Sequence, residues 1–133
     1  MKGIKTIDIV SVDTETVVED ASFLGAYAFY IKLSGKPERQ WIVIFKHEWE
    51  QSPYLMKREI SVIGDRLRLV CAQEDTVQNH VAFARDLVKK TNARVEEANR
   101  RRELAEKWKR SRQQEIEKDK DEIRRKLREI SSE

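Results

Sequence analysis

The apolar residues of this chain follow two different periods, one in each half. Up to residue 72 they tend to recur at every second position, the spacing of a strand with one face buried. Residues 4–12 are rich in β-branched side chains. In residues 25–33 (GAYAFYIKL), Tyr27, Phe29, Ile31 and Leu33 fall on one face. The stretch SGKPERQ supplies turn residues before residues 41–49 (WIVIFKHEW), and these two segments read together as a β-hairpin. Residues 58–63 and Arg66–Ala72 flank Gly64-Asp65, a two-residue loop suited to a type II′ turn, whose first central position needs positive φ. Leu67, Leu69 and Cys71 share a face of the last segment, with Arg66 and Arg68 opposite. Residues 41–49 stand apart. Trp41, Val43, Phe45, His47 and Trp49 make one strand face, and Ile42 and Ile44 give the other an apolar start. The pattern predicts a central strand covered on both sides, the second cover coming from sheet curvature, a loop or another subunit.

Beyond residue 72 the period becomes helical. Asp75 is a candidate N-cap, and Gln78 completes a capping-box pattern. Val77, Val81, Ala84, Val88, Thr91, Val95 and Ala98 then recur in steps of four and three, and Phe83 and Leu87 widen the stripe. After Ala98 the stripe degrades. Leu104 and Trp108 form a shifted pair, and Ile116, Ile123 and Ile130 follow seven residues apart with Leu127 beside them. All four glycines and both prolines lie at or before Gly64, so no breaker interrupts residues 75–130. A continuous helix of that span would be on the order of 80 Å long at about 1.5 Å per residue. Its distal half must protrude, pack on another chain, or fold back. Ser111 with Gln114 offers a second capping box at which it could restart after a bend.

The expected fold is therefore α+β: a curved antiparallel sheet of four to five strands, followed by one long C-terminal helix that packs on the sheet and extends beyond it. Residues 1–98 would form the domain, with the sheet over 4–72 and the packing helix from 75. Residues 99–133 would form a charged helical extension with coiled-coil spacing.

Charge sharpens this division. Residues 1–93 hold thirteen basic and thirteen acidic residues, so the net +3 of the 133-residue chain lies entirely beyond them. In the window 100–112, Arg100, Arg101, Arg102, Lys107, Lys109, Arg110 and Arg112 face only Glu103 and Glu106. Much of the tail nevertheless reads as ordinary helix surface. Glu96–Arg100, Glu97–Arg101, Glu103–Lys107, Glu106–Arg110, Asp121–Arg125 and Glu122–Lys126 are all spaced i,i+4 with the acid N-terminal, the favourable order. No segment offers the ~20 apolar residues of a membrane span, and the first residues lack the pattern of a signal peptide. The single cysteine, Cys71, cannot form an internal disulfide. These features suggest a soluble cytoplasmic protein.

Catalytic and metal motifs are sparse. His47, Glu48 and Glu50 lie close in sequence, but His47 and Glu48 would point to opposite faces of a strand, and a third converging ligand is missing. Cys71 and His80 could approach each other, yet Cys71 sits on an apolar strand face. No glycine-rich phosphate loop exists. Tyr27, Phe29, Trp41, Phe45 and Trp49 could stack bases on a sheet, but few basic residues interleave with them, which favours a core or an interface. Neither cofactor nor metal is expected. The reading these residues favour is a non-enzymatic binding or assembly module that associates with itself or another protein through its sheet, its C-terminal helix, or both. Trp41, Trp49, Trp108, Ile116, Ile123, Leu127 and Ile130 are its contact candidates. Nucleic-acid binding by the basic segment 100–112 is the alternative, and an enzyme of unassigned chemistry is the second alternative.

Overall fold

The structure, a computed structural model, describes residues 3–54 and 57–132. Its elements run β1 (Ile9–Glu19), β2 (Ala26–Leu33), α1 (Arg39–Gln51), β3 (Ile60–Ile63), β4 (Arg66–Ala72) and α2 (Val77–Ser131). The strands form one sheet in the order β1-β2-β4-β3, and every neighbouring pair is antiparallel. The fold is α+β, as the two periods require, with a four-stranded sheet and the first part of a long C-terminal helix packed on it. By contact the chain divides into two compact units, Met1–Glu97 and Ala98–Glu133.

Within the first unit, α1 and the first turns of α2 share one core with one face of the sheet. Phe29, Ile31 and Leu33 of β2 and Leu67, Leu69 and Cys71 of β4 alternate into it, where they meet Trp41 and Phe45 of α1 and Phe83, Ala84, Leu87, Val88 and Val95 of α2. The stripe read from the sequence of α2 is thus buried from Phe83 to Val95, while Val77 at its start is exposed. The opposite face of the sheet carries Ala26, Ala28, Val70 and Ala72, all buried. Two long side chains border it: Arg68 forms an ion pair with Asp20 at 2.6 Å, and Arg66 lies over Tyr30.

Residues 41–49 are the main departure from the sequence pattern: they form helix, not a central strand. A continuous apolar run such as Trp41–Phe45 satisfies both periods, and the residues around it decide. On the helix Trp41, Phe45 and Glu48 fall at i, i+4 and i+7 and are all buried. Val43, which strand spacing would have placed beside Trp41 and Phe45, is 58% exposed. Lys46, His47 and Glu50 face outward. The predicted hairpin between 25–33 and 41–49 is consequently absent, and β2 lies between β1 and β4.

Two boundaries also shift. The first strand begins at Ile9, not residue 4, because Ile7 bonds to a helix side chain instead of a neighbouring strand. Its N–H donates to Asn92 Oδ1 and its carbonyl accepts from Asn92 Nδ2. Asp75 precedes α2 but does not cap it, since its carboxylate is engaged by three other groups described below. The Gly64-Asp65 loop does join β3 to β4. Gly64 has φ +61 and Asp65 does not have positive φ, as a type II′ turn demands.

Candidate interaction surfaces

Asp75 is a highly connected polar group of the first unit. Arg58 grips it with two parallel bonds, Nε to Oδ2 at 3.0 Å and Nη2 to Oδ1 at 3.1 Å. The Ala72 N–H donates to Oδ2 at 3.0 Å, and His80 Nε2 lies 2.9 Å from the same oxygen. Asp75 and His80 side chains are both nearly buried. These partners, the Arg58 fork first, hold the Asp75 carboxyl far below the usual carboxylate range. Asp75 thereby ties the residues before β3, the end of β4 and the start of α2 to one another. This is what a buried carboxylate with a full set of donors does for a fold.

The groups considered for catalysis are disposed differently from a reacting pair. His80 directs Nε2 to Asp75, and Cys71 is buried on the apolar face of β4. Burial pushes the Cys71 thiol up, which disfavours the thiolate a nucleophile needs. His47 is exposed on α1, whereas its neighbour Glu48 is buried and paired with Arg94 of α2. Among the described residues no group of three or more His, Cys, Asp or Glu side chains is placed to hold a metal ion.

Of the aromatic contact candidates in this unit, Trp41 belongs to the core. It is fully buried, stacks on Phe45 with ring centroids 5.2 Å apart, and donates its indole N–H to Asn92 Oδ1. A side chain so enclosed offers nothing to a partner. Tyr27 and Phe29 lie on the same core side of the sheet. Trp49 is half-buried. Its indole N–H donates to the Arg58 carbonyl at 3.1 Å, and Lys57 Nζ lies 4.4 Å from its ring centroid. The same Lys57 ammonium bonds the Trp49 carbonyl at 3.0 Å, a cation placed where the helix dipole favours one.

Trp49 also lines a groove of about 580 Å³ between α1 and the edge strand β3. Ile42, Phe45 and Trp49 form one wall and Ile60 and Val62 the other, with Lys46, Glu50, Lys57 and Glu59 around them. Sequence reasoning missed this groove because it placed 41–49 in the sheet. It missed Arg58, Asp75 and Asn92 as anchors because nothing local marks a polar residue as buried.

The second unit is helical throughout its described length apart from a terminal turn. Leu104, Trp108, Ile123, Leu127 and Ile130 are exposed, Trp108 to 75% and Ile130 to 68%, while Ile116 is half-buried. At 3.6 residues per turn these six positions fall within an arc of about 140°. Of the basic candidates, Arg100, Arg101, Lys107, Lys109, Arg110 and Arg112 are exposed and Arg102 is half-buried. Arg112 pairs with Glu115 at 3.3 Å. Asp121 pairs with Arg124 at 2.7 Å, three residues on, where the sequence suggested Arg125. Among the described residues no helix is long and apolar enough to cross a membrane.

No family model, curated protein or solved structure matches this chain.

Proposed function

We propose that this chain is a non-catalytic assembly module, in which the helix of the second unit pairs with the same helix of a second copy. The observation carrying this reading is the apolar stripe from Leu104 to Ile130, with Trp108 exposed near its start. A helix that is otherwise charged gains little from such residues unless something covers them.

Charge indicates how two copies would lie. Window 100–112 has seven basic against two acidic residues. Window 113–123 has five acidic (Glu115, Glu117, Asp119, Asp121, Glu122) against Lys118 and Lys120, and 124–130 has four basic against Glu129. Parallel pairing in register sets like blocks side by side. An antiparallel, staggered pair sets 100–112 beside the acidic block of its partner and brings Trp108 near the partner's Ile116. Charged positions within the stripe, Arg112 and Asp119 among them, make this a weak, salt-sensitive pair. The buried Cys71 thiol and the engagement of His80 by Asp75 support a non-catalytic role, and the lone cysteine suits a reducing, cytoplasmic setting.

Sedimentation equilibrium at micromolar concentration and low salt should show a reversible dimer. Trp108→Ser with Ile123→Ser should shift it to monomer without changing the thermal unfolding of the first unit. Monomer alone for the unaltered chain would sink the proposal.

The second reading is a polyanion partner for 100–112, favoured by the exposed excess of positive charge there. It predicts retention on heparin and on DNA or RNA that falls steeply with salt. Reversal of Arg101, Arg102 and Arg110 to glutamate should abolish that retention, and unchanged retention would remove the reading.

A further inference from the structure

Strand β3 is an edge strand, and its hydrogen-bonding groups can be assigned one by one. The Val70 N–H donates to the Glu59 carbonyl at 3.0 Å, so Glu59 and Val70 form a hydrogen-bonded pair. In an antiparallel ladder such pairs alternate. With the register Ile60↔Leu69, Ser61↔Arg68, Val62↔Leu67 and Ile63↔Arg66, the groups of Ser61 and Ile63 therefore point to β4. Those of Ile60 and Val62 point away from it. The other edge of β4 agrees with this phase: the Leu33 N–H donates to the Asp65 carbonyl, so odd-numbered positions from 65 face β2 and even-numbered ones face β3.

Ile60 and Val62 thus present two N–H donors and two carbonyl acceptors outward, two residues apart. No hydrogen bond to them from another segment is found among the described residues. Their side chains lie on the core side of the sheet and pack against the core. The groove beside them is walled by α1 through Ile42, Phe45 and Trp49. Four consecutive residues, Glu59 to Val62, line it, which means that it runs along the strand edge itself. Edges of this kind are usually blunted by a covering segment or an inward charge. Here the edge is short, and its flanking charges, Lys46 and Lys57 against Glu50 and Glu59, cancel.

We propose that this groove binds an extended peptide segment of a partner protein, which adds to the sheet as a fifth strand beside β3. The complementarity is between partial charges: outward N–H and C=O groups at i and i+2 are matched by the main chain of an extended peptide. Specificity comes from the alternation of side chains. Residues of the peptide on the same face as Ile60 and Val62 enter the groove beside Ile42 and Trp49, so the segment carries aliphatic side chains at alternate positions and no net charge. Strand β3 spans four residues, so about 13 Å of peptide, at about 3.3 Å per residue, is engaged. The site lies within the first unit and does not depend on helix pairing.

The test uses the full chain and a capped nine-residue peptide that alternates valine with threonine, together with the same peptide N-methylated at the alternate amides that would face β3, to remove the donors that pair with it. Hydrogen exchange followed by NMR should show protection of the Ile60 and Val62 amides rising about 10-fold or more with the unmodified peptide and unchanged with the methylated one. Val62→Pro removes one outward N–H that takes no part in the β3–β4 ladder, so the fold should persist while affinity falls about 10-fold. Absence of protection at about 1 mM peptide, or equal binding of the methylated peptide, overturns the proposal. Protection that appears on concentrating the protein alone assigns the edge to a second copy, and also overturns it.

Discussion

Asn92 Oδ1 accepts the indole N–H of Trp41 at 2.9 Å across 51 residues of sequence. The same oxygen accepts the Ile7 N–H at 3.1 Å, and Asn92 Nδ2 donates to the Ile7 carbonyl at 2.8 Å. One amide on α2 thereby fixes α1 and the segment before β1. Satisfied polar groups of this kind cost little while paired and much when one partner is removed.

Replacing Asn92 by alanine leaves the Trp41 donor and both Ile7 groups without partners. Unfolding in urea should show a loss of about 2–3 kcal/mol. Trp41→Phe, which removes only one donor and some volume, should cost about 1–2 kcal/mol. Equal losses for the two variants would mean that Asn92 does not anchor the Ile7 segment.

Asp75→Asn keeps the shape of the side chain but removes the charge that faces the Arg58 fork. About 2 kcal/mol of stability should be lost, because an arginine side chain still one-third exposed recovers part of its solvation. A double-mutant cycle with Arg58→Met isolates the pair. A coupling near zero would show that the fork contributes nothing beyond packing.

Acid should destabilise the first unit over a narrow range. Asp20 is held at about 2 by its bonds with Ser22 and Arg68, and Asp75 is held low chiefly by Arg58. Both folded-state values lie below the ordinary value of 3.8. Their contribution is therefore complete above that value and is lost as pH falls through the folded values. Urea midpoints should stay level from about pH 7 to 5 with respect to these groups and decline below about pH 4. Asp75→Asn should make that decline shallower, and an unchanged slope would contradict the assignment.

Gly64 supplies the positive φ of the β3–β4 turn, +61, and an added Cβ there would meet nothing within 4 Å. The cost of Gly64→Ala is thus conformational alone, about 1 kcal/mol. Gly35 also has open space around it but no positive φ, so Gly35→Ala should be neutral or slightly stabilising. Thermal unfolding of the two variants side by side separates backbone strain from packing.

Several of these features were legible in the residues themselves. The alternation of Phe29, Ile31 and Leu33, and of Leu67, Leu69 and Cys71, marked the buried face of the sheet. Gly64-Asp65 marked its turn, and the stripe from Phe83 to Val95 marked the helix that covers it. The exposed set from Leu104 onward was visible as a shifted apolar pattern. The groove between α1 and β3 was not, because it depends on residues 41–49 being helical.

Spacing by itself determined the two regimes of this chain, since strand and helix bury a face with different periods and each period is a local property. Tertiary structure decided the rest. The run Trp41–Phe45 fits either period, and it became helix where Trp41, Phe45 and Glu48 could meet Asn92, the core and Arg94 together. Asp75, which resembled a cap, is an anchor because Arg58, 17 residues away, holds it with a two-pronged bond. Such choices depend on which distant donors arrive at a carboxylate or an amide, and sequence spacing carries no record of that distance in space.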